Sequence, residues 1–212
     1  MHQDVNYDHL LDELGTQGSL AKEMGASLLH GYVDQDGVQP IGDFGPKLLT
    51  NQFDNQIWDQ LRSELNDATE YAFAVAFVTD AMVSNLKPLF RTLAARGVKG
   101  RLLTSTYLQF NQPDMFEELL KIDNLEVRIA TVKGFHQKCY LFKHRDYQTV
   151  IIGSANLTAS ALMKNQNYEW SLKVSSLNNG EITRQIEENF EAEWRDAKPL
   201  SEDWLDGYRK AY

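Results

Sequence analysis

The feature that most constrains this chain is the stretch from Phe135 to Trp170. It carries two polar doublets and a carboxylate: His136 and Lys138, then Ser154 and Asn156, then Glu169. Alternate residues of a strand share a face, so His136 and Lys138 are expected to project together from one strand. Between the doublets lie an apolar alternating run, a charged turn (Lys143, His144, Arg145, Asp146) and a β-rich run from Tyr147 to Ile152. That pattern predicts a hairpin with its charged turn in solvent, its second strand ending at Gly153. Thr158 is the expected N-cap of a helix over Ala159–Leu162. In β-spacing, Glu169, Ser171 and Lys173 should form the polar side of a half-buried strand, with Trp170, Leu172 and Val174 on its buried side.

The chemistry of these residue types points to phosphate. A neutral imidazole is a nucleophile and proton carrier near neutral pH. An ammonium, a hydroxyl and a carboxamide donate to the non-bridging oxygens on which charge grows during transfer. Glu169 is the candidate acceptor for the far nitrogen of His136. The set needs no metal and no cofactor, and the sequence has neither a Cys-x-x-Cys nor a His-Glu-x-x-His pattern.

His136-Gln137-Lys138 and Gly153-Ser154-Ala155-Asn156 resemble the signature of the phospholipase D superfamily, His-x-Lys followed by Gly-Ser-x-Asn. By counting, the superfamily's aspartate falls at Lys143, and Asp146 is a weak substitute because the hairpin is longer than the common form. The run IIGSANLTASAL, with Asn165 or Asn167 ahead of Glu169-Trp170, is similar to the phospholipase D-like domain of bacterial restriction-type DEAD/DEAH helicases. The resemblance covers roughly residues 46–210. It implies an α/β fold, a mixed sheet flanked by helices on both faces, with one His-Lys motif per chain. It implies a metal-independent nuclease on DNA that works through a phosphohistidine. His136, Lys138, Asn156 and Glu169 would be catalytic, and Lys138, Ser154 and Asn156 would hold the substrate phosphate.

One motif supplies one histidine, whereas in-line cleavage needs a nucleophile and a general acid on opposite sides of phosphorus. A twofold homodimer brings the same patch against itself and supplies both. A helicase or ATPase domain is the other implied partner, since the chain has no Walker motif. Two alternatives stand beside this: a catalytically quiet dimerisation or DNA-docking module, and a phosphodiesterase on a lipid or small diester.

Charge is uneven. The chain carries a net −9, yet Ala81 to Arg145 holds 11 Lys/Arg against 5 Asp/Glu, leading into His136. With no apolar run of membrane length and a single cysteine, the reading is a cytoplasmic protein off the membrane. Residues 1–45 read as a polar N-terminal arm and 46–212 as the nuclease domain. Helices are expected over Asn51–Thr69, Ala81–Arg96, Pro113–Lys121 and Gly180–Arg195. Strands are expected over Glu70–Thr79, Val98–Thr104 and Leu125–Ala130. Tyr71, Phe73 and Phe77 are assigned to the core rather than to a base-stacking platform, and Cys139 to a buried thiol.

Overall fold

A computed structural model describes residues 45–52, 57–163, 167–177 and 180–212. All of them but Gly45 belong to one unit, Pro46–Tyr212. The arm expected over 1–45 lies, apart from Gly45, outside the described residues, as does Asn165.

The elements run in the order β1 (Lys47–Thr50), α1 (Ile57–Asp67), β2 (Glu70–Val75), α2 (Asp80–Ala95), β3 (Lys99–Thr104), α3 (Pro113–Leu120) and β4 (Leu125–Ile129). The chain continues through β5 (Lys138–Lys143), β6 (Tyr147–Gly153), α4 (Ala159–Leu162), β7 (Trp170–Leu177), α5 (Glu181–Asp196), β8 (Lys198–Pro199) and α6 (Glu202–Ala211). The eight strands form one sheet in the order β1-β7-β6-β5-β2-β3-β4-β8. The pairs β2–β3 and β3–β4 are parallel and the others antiparallel, so the sheet is mixed as expected. The run Glu70–Val75 is apolar on both faces because both faces are covered.

On one face, Leu61, Leu86, Phe116 and Leu205 of α1, α2, α3 and α6 pack onto Phe73, Tyr140 and Phe142. On the other, Phe190 and Trp194 of α5 cover Ala72, Ala74, Leu103, Cys139 and Val150. Gly97, at φ +74°, follows the C-cap of α2 and ends it as the sequence suggests. Thr158 caps α4 by accepting from the Ala161 N–H at 3.2 Å. The C-terminal segment forms the helix α6, on which Trp204 and Tyr208 both pack edge-on against Phe116.

Two expectations are overturned. The charged turn of the β5–β6 hairpin does not lie wholly in solvent: His144 is buried, its Nε2 2.9 Å from Glu64 Oε2. The faces of β7 are also inverted. Ser171 and Lys173 are buried, whereas Trp170 and Leu172 are exposed. The reason is a tertiary ion pair. Lys173 Nζ lies 2.7 Å from Glu64 Oε1 beneath α1, and the sheet face carrying Trp170 and Leu172 runs out beyond the cover of α5. Leu172 sits directly between Leu48 on β1 and Ile152 on β6, which makes an exposed apolar row across three strands.

Candidate active site

Every motif residue comes to one end of the sheet. Val75, the last residue of β2, pairs with Lys138, the first of β5. Cys139 pairs with Ile152, and Gly153 with Ser171. The end of β2, the start of β5, the end of β6 and the start of β7 therefore converge. Gly153 permits this, because a Cβ there would overlap the Trp170 carbonyl oxygen and Ser171 Cα on the neighbouring strand.

His136 is not a strand residue, as alternation suggests, but lies in the extended segment just before β5. It nonetheless meets Lys138. Lys138 Nζ stands 2.7 Å from His136 Nδ1 and 2.6 Å from the His136 carbonyl oxygen. An ammonium only donates, so Nδ1 accepts there and the ring proton sits on Nε2. His136 is exposed, while Lys138 is buried. Withdrawal from water lowers the Lys138 pKa from its ordinary value, and the Glu169 carboxylate pulls it back in part. Cys139, one residue on, faces the α5 side, and burial pushes its thiol up to about 12, as suits a core residue.

Asn156 is held by the segment just past β2: its Oδ1 accepts from the Phe77 N–H at 3.2 Å. Its Nδ2 is thereby left as a donor, with no protein acceptor among the described residues. Ser154 and Glu169 bond directly to each other, hydroxyl to Oε2, and the Trp170 N–H donates to Ser154 Oγ at 3.1 Å. Glu169 Oε1 accepts from Asn167 Nδ2 at 3.2 Å. So Glu169 faces Ser154 and Asn167, and no hydrogen bond joins it to His136 among the described residues. Its backbone N–H donates to buried Asn51, whose own Nδ2 binds the Ala161 carbonyl. Asp146 is an exposed turn residue, and Lys143 pairs with Glu70 and Glu187; neither joins the site.

Sequence reasoning missed the aromatic flank. Phe77 is not a plain core residue: its ring meets His136 edge-on at 5.4 Å, and Tyr107 does so at 6.0 Å. No glycine or proline pattern marks the turn at Tyr107–Phe110, so nothing in the sequence flagged it. A cavity of about 440 Å³ opens beside His136 and Lys138, floored by Gly153 and walled by Asn189 of α5. A larger cleft of about 740 Å³, around Glu70, Lys99 and Lys143, lies at the other end of β2 and contains no motif residue. Among the described residues there is no cluster of His, Cys, Asp or Glu able to hold a metal ion, and no helix long and apolar enough to cross a membrane.

Comparison with known proteins finds the same fold elsewhere. NucT from Helicobacter pylori superposes with a TM-score of 0.59 at 20% identity, covering 74% of this chain and 99% of that one. The phosphatidylserine synthase of Haemophilus influenzae Rd KW20 gives 0.57 at 12% identity, covering 85% of this chain but 46% of its own. Polyphosphate kinase from Porphyromonas gingivalis gives 0.50 at 15% identity, over 83% of this chain and 26% of that one. These likenesses show a shared fold. No curated protein sequence matches the chain. The family model described as cardiolipin synthase, PLD-like domain, matches residues 61–194, well over half the length. The chain is therefore a member of the phospholipase D-like family.

Proposed function

We propose that this protein is a metal-independent nuclease that hydrolyses DNA phosphodiesters through a phosphohistidine at His136. The observation that carries this reading is the exposed His136 ring with the Lys138 ammonium 2.7 Å from Nδ1 and the Asn156 amide at the same sheet end. Lys138 and Asn156 are donors for the non-bridging oxygens. A phosphate oxygen that draws the ammonium off Nδ1 frees that nitrogen to take the ring proton, leaving Nε2 with its lone pair. Nε2 then attacks phosphorus and the P–O bond to the leaving oxygen breaks. The proton for that oxygen comes from Nε2–H of His136 in a second copy of the chain, as the Lys138 ammonium of that copy passes a proton to Nδ1 and keeps the ring neutral. Water next cleaves the P–N bond, returning its proton to the second ring. The homodimer is thus part of the proposal, and the exposed row Leu48, Leu172 and Ile152 is a surface suited to it. NucT, a nuclease by name, is spanned almost whole by this chain, which favours DNA over a lipid headgroup. The similarity of the 151–170 segment to helicase-linked modules makes a helicase or ATPase the partner of this reading.

The test is cleavage of a labelled DNA strand in excess EDTA. Turnover should persist, and His136→Ala should lower it by at least the 10²–10⁴-fold typical of general acid–base loss. Turnover that needs added Mg²⁺ rejects the mechanism. Salt-sensitive DNA binding without turnover replaces it with a docking role.

A further inference from the structure

We propose that Phe77, Tyr107 and Phe110 form a base-stacking wall beside His136, so that the strand cleaved is one whose base next to the scissile phosphate is unpaired. This deepens, and rests on, the phosphodiesterase reading of His136. The three rings are arranged as a stack. Phe77 and Phe110 lie 4.4 Å apart at 29°, and Phe77 and Tyr107 lie 6.3 Å apart at 6°. His136 stands edge-on to two of them, at 77° to Phe77 and 71° to Tyr107. The Lys138 ammonium is 6.0 Å from the Phe77 centroid, so cation and ring faces are within one nucleotide's reach of each other.

These rings are not spare core. Tyr107 is 39% exposed, Leu108 75% and Phe110 46%, three large apolar side chains within four residues. The turn that shows them is fixed rather than loose. Leu108 and Gln109 both hold left-handed backbone, at φ 55° and 52°, a conformation that persists only where the surroundings impose it. What imposes it is Asn111, which is fully buried. Its Oδ1 accepts from the Val78 N–H at 2.8 Å, and its Nδ2 donates to the carbonyls of Ala76 at 2.9 Å and Ser105 at 2.7 Å. From the other side, Tyr208 of α6 donates to the Asn111 carbonyl at 2.8 Å. A rigid aromatic ledge stacks a base at little ordering cost.

A nucleobase is the occupant that fits. The ring faces are flat and extend over about one heterocycle. An acyl chain wants a continuous apolar trench, and here the exposed apolar side chains beside Phe77 are the short run Tyr107, Leu108 and Phe110. In a duplex both faces of a base are already stacked, so only an unpaired base can use the ledge.

The experiment compares three oligonucleotides: a base-bearing single strand, the same strand with abasic linkers, and its duplex. Wild-type protein should cleave the base-bearing single strand with a kcat/KM about tenfold above the other two, the range expected for one stacked base. The double variant Tyr107→Ala/Phe110→Ala should lose that preference, mostly through KM, so that its kcat/KM on the base-bearing strand falls to that on the abasic strand. Tyr107→Phe should keep the preference. Equal wild-type cleavage of base-bearing and abasic strands overturns the proposal. So does an unaltered preference in the double variant. A strand carrying 2-aminopurine reads the wall without turnover. Quenching on binding that survives the double substitution also overturns it. Wild-type protein that quenches yet cleaves no diester supports the wall and defeats the nuclease reading alone.

Discussion

At the scale of single residues, Lys138 decides the alkaline behaviour of the site. Burial moves its pKa below the ordinary 10.5, with Glu169 resisting. As pH rises through that lowered value the ammonium loses its proton, and the charge that would hold a phosphate goes with it. The kcat/KM profile should therefore fall at a pH below 10.5. Lys138→Arg stays charged at all accessible pH, so its residual activity should keep a flat alkaline side. An alkaline limb that Lys138→Arg leaves in place would assign the titration elsewhere. The meeting of His136 with Lys138 and of Ser154 with the strand end was legible in the His-x-Lys spacing and the Gly turn, although His136 lies before β5 and not in it as alternation predicts. The orientation of Glu169 was not. It depends on Asn51, Ser154 and Asn167, and local spacing does not report which side chains a carboxylate will meet. Tyr107 and Phe110 were silent for a similar reason: a buried asparagine, rather than a glycine, sets their turn.

At the scale of elements, strand and helix existence was legible because the apolar periods are strong, although the described helix α1 begins at Ile57 and β2 ends at Val75, inside the bounds expected of them. The faces of β7 were not. Hydropathy alternation says which residues differ, not which set points inward, and here Glu64 of α1 draws Lys173 in. Glu64 also binds His144, so three elements meet on one carboxylate. Burial alone would raise the Glu64 pKa, but hydrogen bonds from His144 and Lys173 together outweigh it and hold the carboxyl below 4.5. A carboxyl depressed in this way stabilises the fold above its unfolded value, and that share is lost as pH falls through the folded value. Glu64→Gln removes the buried negative charge that Lys173 and His144 share and should cost about 3–5 kcal/mol, read by urea denaturation at neutral pH. The same measurement on wild-type protein should show stability declining below pH 4.5. A near-neutral Glu64→Gln would show that the cluster contributes no net stability.

At the scale of the whole molecule, one motif and one exposed apolar row ask for a second copy. The inverted face of β7 leaves Leu172 outward between Leu48 and Ile152, at the strand end that carries Ser154 and Glu169. Leu172→Glu places a charge in the centre of that row. Sedimentation should show a dimer for wild type and a monomer for the variant, with DNA cleavage falling at least tenfold alongside. A wild-type monomer that cleaves DNA would end the shared-site mechanism. The fold class was readable because alternating helices and strands followed by a hairpin have few solutions. The hydrophobic row was hidden by the same inversion that misled the strand. The bridge from Asn51 to Glu169 spans 118 positions of chain. The imidazole and the Asn156 amide sit at the two ends of one hairpin and assemble by local closure. The carboxylate is seated only once that distant loop has closed, so the site is completed late in folding and in halves.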